Sequence, residues 1–324
     1  MPHLSSSAGD FAAPELAARK ADQALTVSVC LPARNEVSTV GLITTAIRER
    51  LMDETPLVDE ILVLDDRSTD GTAEAAQTAG ADVVAVQDVL PEAGPGDGKG
   101  NALWKSLFAG NGDLVCWVDS DIRNFDPAFV VGLLGPLLTD TATSFTKGFY
   151  HRPVSEGAGT ARGGRVTELM ARPVISRFFP ALTRFVQPLA GEYAGRRRLL
   201  ETLPFVEGWG VELGLLIDVV ARVGVGAVAQ VDLGTREHRN RPLSELGPQA
   251  TAILTTALRR AGVAQIGADS SALGRSVLDR AVTTELVRFD DAHSIERIEV
   301  NVAERPPIIE IPAYRAKFGR ELSA

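Results

Sequence analysis

The chain has 324 residues, 45% of them hydrophobic, and a formal net charge of -9, which is enough apolar content for a sizeable core and the wrong sign for a protein that coats nucleic acid. The first twenty residues carry Ser5, Ser6, Ser7 and the acids Asp10 and Glu15 in place of a basic start and an apolar stretch, so no export is expected, and the apolar runs fall short of the roughly 20 residues of a membrane span. Cys30 and Cys116 sit in apolar runs without metal-ligand spacing, which fits a cytoplasmic setting and leaves no structural zinc site.

Residues 1–25 read as a flexible tail. Leu25 to Leu31, rich in β-branched residues and stopped by Pro32, reads as a first buried strand. Val37 to Leu51 places Val40, Ile43, Ile47 and Leu51 at helical spacing. Glu60 to Leu64 predicts a second strand ending at Asp65-Asp66, and Thr72 to Ala79 a helix announced by Ser68, Thr69 and Asp70. Asp82 to Val86 follows as a short strand, then a Gly/Pro-rich loop, a helix over Asn101 to Ala109 and a fourth strand over Leu114 to Val118. This alternation predicts an α/β fold with a mostly parallel sheet and ligands at the strands' carboxyl ends. From Thr146 the chain turns basic and glycine-rich, with helices near Val166 to Phe179, Glu212 to Arg222 and Ala250 to Ala261. The rest reads as a less patterned tail, either an ordered extension or a loose end.

Four features fall at the ends of predicted strands: Pro32-Ala33-Arg34-Asn35-Glu36, Asp65-Asp66-Arg67-Ser68-Thr69-Asp70, the loop containing Lys99, and Asp119-Ser120-Asp121. Two acids one residue apart at a strand end suit magnesium or manganese, and a metal-bridged diphosphate is the matching ligand. An isolated Asp-x-Asp is an ordinary turn; four such loops on one rim offer a polar edge for base and ribose, a cation for phosphates and a metal site. Gly94-Pro95-Gly96-Asp97-Gly98-Lys99-Gly100 imitates a Walker loop, but Ala93 replaces its first glycine and Gly100 its Ser/Thr. No GxGxxG follows the first strand, which disfavours a dinucleotide enzyme.

These residues resemble the nucleotide-sugar half of glycosyltransferases with the A-type fold. Gly98-Lys99-Gly100-x-Ala102-Leu103-Trp104, Gly163-Gly164-Arg165-Val166-Thr167-Glu168-Leu169, Gln187-Pro188-Leu189-x-Gly191-Glu192-Tyr193-Ala194 and His238-Arg239-Asn240-Arg241-Pro242-Leu243 look, more narrowly, like actinobacterial glucosyl-3-phosphoglycerate synthases. The likeness implies a Rossmann-like sheet with a nucleotide-sugar region at 26–145, an acceptor and catalytic region at 146–247 and a C-terminal helical extension and tail at 248–324. It places Pro32, Ala33, Arg34, Glu36, Asp66, Lys99, Asp119 and Ser120 around the nucleotide, and Asp121 and His238 on the magnesium or manganese ion. Gly164, Arg165, Thr167 and Asn240 fall on the acceptor, with Arg239 or Arg241 able to assist, and Glu212 and Leu189 at the transferred sugar. Asp66 stands where a serine is expected and Arg34 where a leucine is, which bears on the donor base.

The implied reaction is a retaining transfer of glucose from UDP-glucose to the 2-hydroxyl of 3-phosphoglycerate by a cytoplasmic homodimer with no nucleic-acid or membrane partner. The rivals are the GDP-mannose reaction giving mannosyl-3-phosphoglycerate, a polyprenyl-phosphate sugar transferase, and a silent nucleotide-sugar sensor. No lipid-facing helix is evident for the second, and the intact metal ligands speak against the third.

Overall fold

The computed structural model describes residues 5–151, 164–237, 243–263, 281–289 and 294–321. Its strands in chain order are β1 (Ser5–Ser7), β2 (Val27–Ala33), β3 (Glu60–Asp65), β4 (Asp82–Ala85), β5 (Leu114–Trp117), β6 (Phe145–His151), β7 (Tyr193–Arg196), β8 (Phe205–Val206), β9 (Val228–Thr235), β10 (Ala281–Phe289) and β11 (Ile295–Arg305). The helices are α1 (Ala13–Asp22), α2 (Val40–Arg48), α3 (Thr72–Thr78), α4 (Gly98–Ala109), α5 (Ala128–Thr139), α6 (Arg172–Phe178), α7 (Arg197–Leu200), α8 (Val211–Val223), α9 (Leu243–Arg260) and α10 (Pro312–Phe318).

An eight-stranded sheet runs in the order β1-β9-β6-β7-β5-β2-β3-β4, parallel throughout except for β7. Val27, Val29 and Leu31 of β2 face one apolar cluster with α2 and α5, while Cys30 faces a second with α4 and α8. Both faces are thus covered, which is why the strands read as continuous apolar runs. Trp117, fully buried between Tyr193 and Phe205 at 5.4 and 6.0 Å, anchors the second cluster; its truncation to alanine costs about 3–5 kcal/mol.

Several expectations change. β2 does not stop at Pro32 but runs on to Ala33, because β5 pairs with it only as far as Cys30 and a missing N–H beyond that point breaks no ladder bond. Lys99 lies in the first turn of α4 instead of a loop. α9 begins at Leu243, before the expected Ala250, with Pro248 inside it. The sheet continues across residue 145 through β6.

Neither terminus matches its expectation. From Ser5 onward the N-terminus is part of the fold: β1 pairs with β9, and Leu16 of α1 is 1% exposed. The C-terminal segment is chiefly an antiparallel ribbon, not a helical extension: β10 pairs with β11, which pairs with β8 and packs on α9. Arg260 ties the pieces together by pairing with Asp218 of α8 at 2.8 Å and with Glu304 of β11.

Candidate active site

The loops after β2 and β3 are stitched to one another by the residues of the Asp-Asp-x-Ser-Thr-Asp-Gly-Thr motif. Asn35 N–H donates to Ser68 Oγ (3.0 Å), Thr69 N–H to Asn35 Oδ1 (2.9 Å) and Glu36 N–H to Thr72 Oγ1 (2.8 Å). Thr72 also donates to Asp70, whose carboxyl is held below its ordinary range by that bond. This scaffold fixes the rim on which Pro32, Ala33, Arg34, Glu36 and Asp66 stand. Asp66 is buried, accepts from Arg67 Nε at 2.8 Å and lies 3.9 Å from Arg34, so the base end of the rim pairs acid with guanidinium.

The loop that imitates a Walker motif is built the opposite way round. Its carbonyls turn inward: Lys105 Nζ takes those of Val86, Gly94 and Pro95, and Arg305 from β11 takes those of Ala93 and Gly94. A phosphate cradle needs N–H groups pointing at the ligand. What this loop delivers instead is Lys99.

Lys99 Nζ lies 2.5 Å from Asp119 Oδ1 and 2.9 Å from Glu212 Oε1 at the start of α8. Gly191 makes that approach possible, since a β-carbon there would collide with Asp119 Oδ2 and lie 2.7 Å from Lys99 Nζ. Behind the carboxylates stands Arg236, 3% exposed, which sequence reading missed. Its Nη2 lies 2.9 Å from Asp119 and 2.7 Å from Asp121, while Nη1 lies 2.8 Å from Glu192 and donates to the Tyr150 hydroxyl at 2.7 Å. Burial alone would raise the Asp119 carboxyl; Lys99 and Arg236 outweigh it and hold that carboxyl well below the usual range. Glu192 is fully buried, its oxygens accept no hydrogen bond, and burial pushes it up to about 7 despite Arg236.

Gly164, Arg165 and Thr167 occupy the start of a helical segment that becomes α6, with Gly164 at φ +96°, a conformation that favours glycine. Glu168 N–H closes back on the Gly164 carbonyl at 2.9 Å. All of these residues, with Leu189, Ser120 and Glu212, line one cavity of about 1050 Å³. Thus every candidate site residue among the described ones faces the same space. His238, Arg239, Asn240 and Arg241 lie outside the described residues. Ser120 is partly committed: its hydroxyl donates to the Pro32 carbonyl at 2.6 Å and its carbonyl accepts from Thr39.

The cavity also contains walls the sequence did not announce: Trp209, Gln249 of α9, and Glu299 and Asn301 of β11. The ribbon's contribution carried no motif, and Arg236 no neighbouring partner, since Asp121 is 115 residues away.

Among the described residues no group of three or more His, Cys, Asp or Glu side chains could hold a metal by itself. Asp121 nevertheless fits a hard cation: it is an oxygen donor, a third exposed and lining the cavity, with one oxygen fixed by Arg236. Magnesium often takes one or two carboxylates and completes its shell with substrate phosphates and water.

Comparison with known proteins gives consistent results. Glycosyl transferase family 2 matches residues 28–182. The glucosyl-3-phosphoglycerate synthase of Petrotoga mobilis is 41% identical over 312 residues, covering 95% of this chain and 93% of its own. The crystal structure of mannosyl-3-phosphoglycerate synthase from Rubrobacter xylanophilus superposes with a TM-score of 0.83 at 39% identity, covering 95% and 97% of the two chains. Glucosyl-3-phosphoglycerate synthase from Mycobacterium tuberculosis, in complex with Mn2+, UDP-glucose and phosphoglyceric acid, gives 0.77 at 42% identity over 92% and 94%.

Proposed function

We infer the reaction from the family: the chain belongs to the glucosyl-3-phosphoglycerate synthases, within glycosyl transferase family 2. It is a metal-dependent glycosyltransferase that moves glucose from UDP-glucose to 3-phosphoglycerate, giving glucosyl-3-phosphoglycerate. The observation that carries this reading to the chain's own residues is the shared cavity, which joins the nucleotide rim, Asp121 and the Gly164-Arg165-Thr167 turn.

In this reading Pro32, Ala33, Arg34, Glu36 and Asp66 receive base and ribose, and Lys99 presents its ammonium beside the diphosphate. Asp121, with His238, holds a magnesium or manganese ion. When bound, that ion supplies positive charge to the departing diphosphate. Arg165, Thr167 and the first-turn N–H groups receive the acceptor's phosphate or carboxylate, with Asn240 beside them. The bond from glucose C1 to the diphosphate oxygen breaks and a bond from C1 to the acceptor's 2-oxygen forms. The hydroxyl proton passes to the departing phosphate. Glu212 orients the sugar hydroxyls, and the backbone at Leu189 lies beside the reacting carbon, so that attack comes from the face the diphosphate leaves and configuration is retained.

Purified protein with magnesium and 3-phosphoglycerate, offered UDP-glucose, ADP-glucose and GDP-mannose in turn, tests the proposal. UDP release that needs both acceptor and metal, and that nearly vanishes in Asp121→Ala, is the expected result. Preference for GDP-mannose would move the chain to the mannosyl reaction of its structural neighbour, and absence of any turnover would end the enzymatic reading. No helix among the described residues is long and apolar enough to cross a membrane; a cytoplasmic homodimer is expected, and sedimentation as a monomer would remove the second half of that statement.

A further inference from the structure

The turn that carries Leu189 is held from beneath at two points of β6. Ala190 N–H closes the turn on the Gln187 carbonyl at 3.1 Å. At one end the Gln187 side chain pairs with both backbone groups of Tyr150, accepting from its N–H at 3.3 Å and donating to its carbonyl. At the other, Lys147 Nζ donates to the Ala190 carbonyl at 2.7 Å. Beyond Ala190, Gly191 rests against Asp119 and Lys99.

Lys147 is an expensive residue to keep there. It is 2% exposed, lies 4.5 Å from the centroid of the Tyr193 ring and has that carbonyl as its hydrogen-bond acceptor. Burial pushes its ammonium down to about 7, with Lys99 adding repulsion and Glu212, Glu192 and Asp119 opposing. It does not line the cavity and pairs with no carboxylate directly. A buried amine whose donor bond goes to one backbone carbonyl, in a turn facing the candidate sugar site, has a local reason to exist.

We propose that Lys147 is a positioning residue for glucosyl transfer, fixing through the Ala190 carbonyl the height of the Leu189–Gly191 peptides over Lys99 and Asp119. The inference rests on the placement of Leu189 at the reacting carbon given above. Methionine fills the same volume without the donor, so the turn relaxes while the nucleotide rim and the Arg165 turn keep their own supports.

The test compares wild type with Lys147→Met and Lys147→Gln, measuring kcat, both KM values and calorimetric UDP affinity in magnesium. The expected result is a kcat lower by about 100-fold in the methionine variant, the scale of a misplacement near 1 Å, with UDP affinity and both KM values within about twofold. The glutamine variant, which keeps a neutral N–H donor, is expected to fall between the two, and it carries the test alone if the methionine variant does not fold. An unchanged kcat overturns the inference, and so does an equal loss of kcat and UDP affinity, which marks a merely structural lysine. A wild-type protein that releases no UDP overturns the parent reading and this inference with it, whereas normal wild-type turnover beside an unaffected variant overturns this inference alone.

Discussion

Gly191 and Asp119 touch so closely that the glycine's missing β-carbon is what leaves room for the carboxylate. The obstacle is not a flexible chain end: Asp119 is pinned by Lys99 at 2.5 Å and Arg236 at 2.9 Å. Gly191→Ala is therefore expected to push Asp119 out of register and lower kcat/KM by about 100-fold, at an overpacking cost of about 1–3 kcal/mol. Initial rates beside a thermal melt check this, and wild-type kcat/KM in the variant would contradict it.

Arg236 faces Asp119, Asp121 and Glu192 together. Its replacement by methionine leaves those carboxylates without their shared cation, and stability is expected to fall by about 3–5 kcal/mol in urea unfolding. Adding Glu192→Gln, which removes the most deeply buried of the charges, should recover part of the loss. Strict additivity in that double-mutant cycle would mean the two side chains are not coupled.

The Lys147 amine has an ordinary value of 10.5 in the unfolded chain and is lowered to about 7 by burial in the fold. Between those pH values the unfolded state binds the extra proton, so the stability owed to this site is lowest below pH 7 and rises toward pH 10. The difference in unfolding free energy between wild type and Lys147→Met should shift in favour of wild type by a few kcal/mol over that window, at about 1.4 kcal/mol per unit of pKa shift. A flat difference would show that the ammonium is not desolvated.

Arg165 stands at the start of a helical segment and lines the cavity. Loss of a charge-assisted hydrogen bond to the acceptor, about 1.5–3 kcal/mol, predicts that Arg165→Ala raises the 3-phosphoglycerate KM by about 10- to 100-fold while UDP affinity holds. Parallel loss of both affinities would place Arg165 on the donor instead.

The frame of the sheet was legible because β2, β3 and β5 are buried on both faces and therefore read as unbroken apolar runs, and Val40, Ile43, Ile47 and Leu51 all proved buried at their helical spacing. Donor-rim residues were legible because they sit where those strands end. Arg236 was not, since nothing adjacent to it in sequence marks a guanidinium whose partners come from β5 and β7. The ribbon escaped notice for a related reason: much of β10 and β11 is exposed on both sides, so no period-two stripe marks it. Ser5–Ser7 are polar and join the sheet purely by backbone bonds at its edge, for which side-chain pattern carries no signal.

That edge pairing sets an order of assembly on the ribosome. Ser5–Ser7 dock on Gln230–Asp232, so the first residues to emerge must wait for a strand made more than two hundred codons later, roughly ten to forty-five seconds at bacterial and eukaryotic elongation rates of about 5–20 residues per second. Throughout that interval Phe11, whose ring closes over Gly135, and the apolar side of α1 have no finished sheet edge to rest on. Nascent chains stalled before β9 should consequently recruit holding chaperones at this N-terminal segment, and release them once β9 has cleared the exit tunnel.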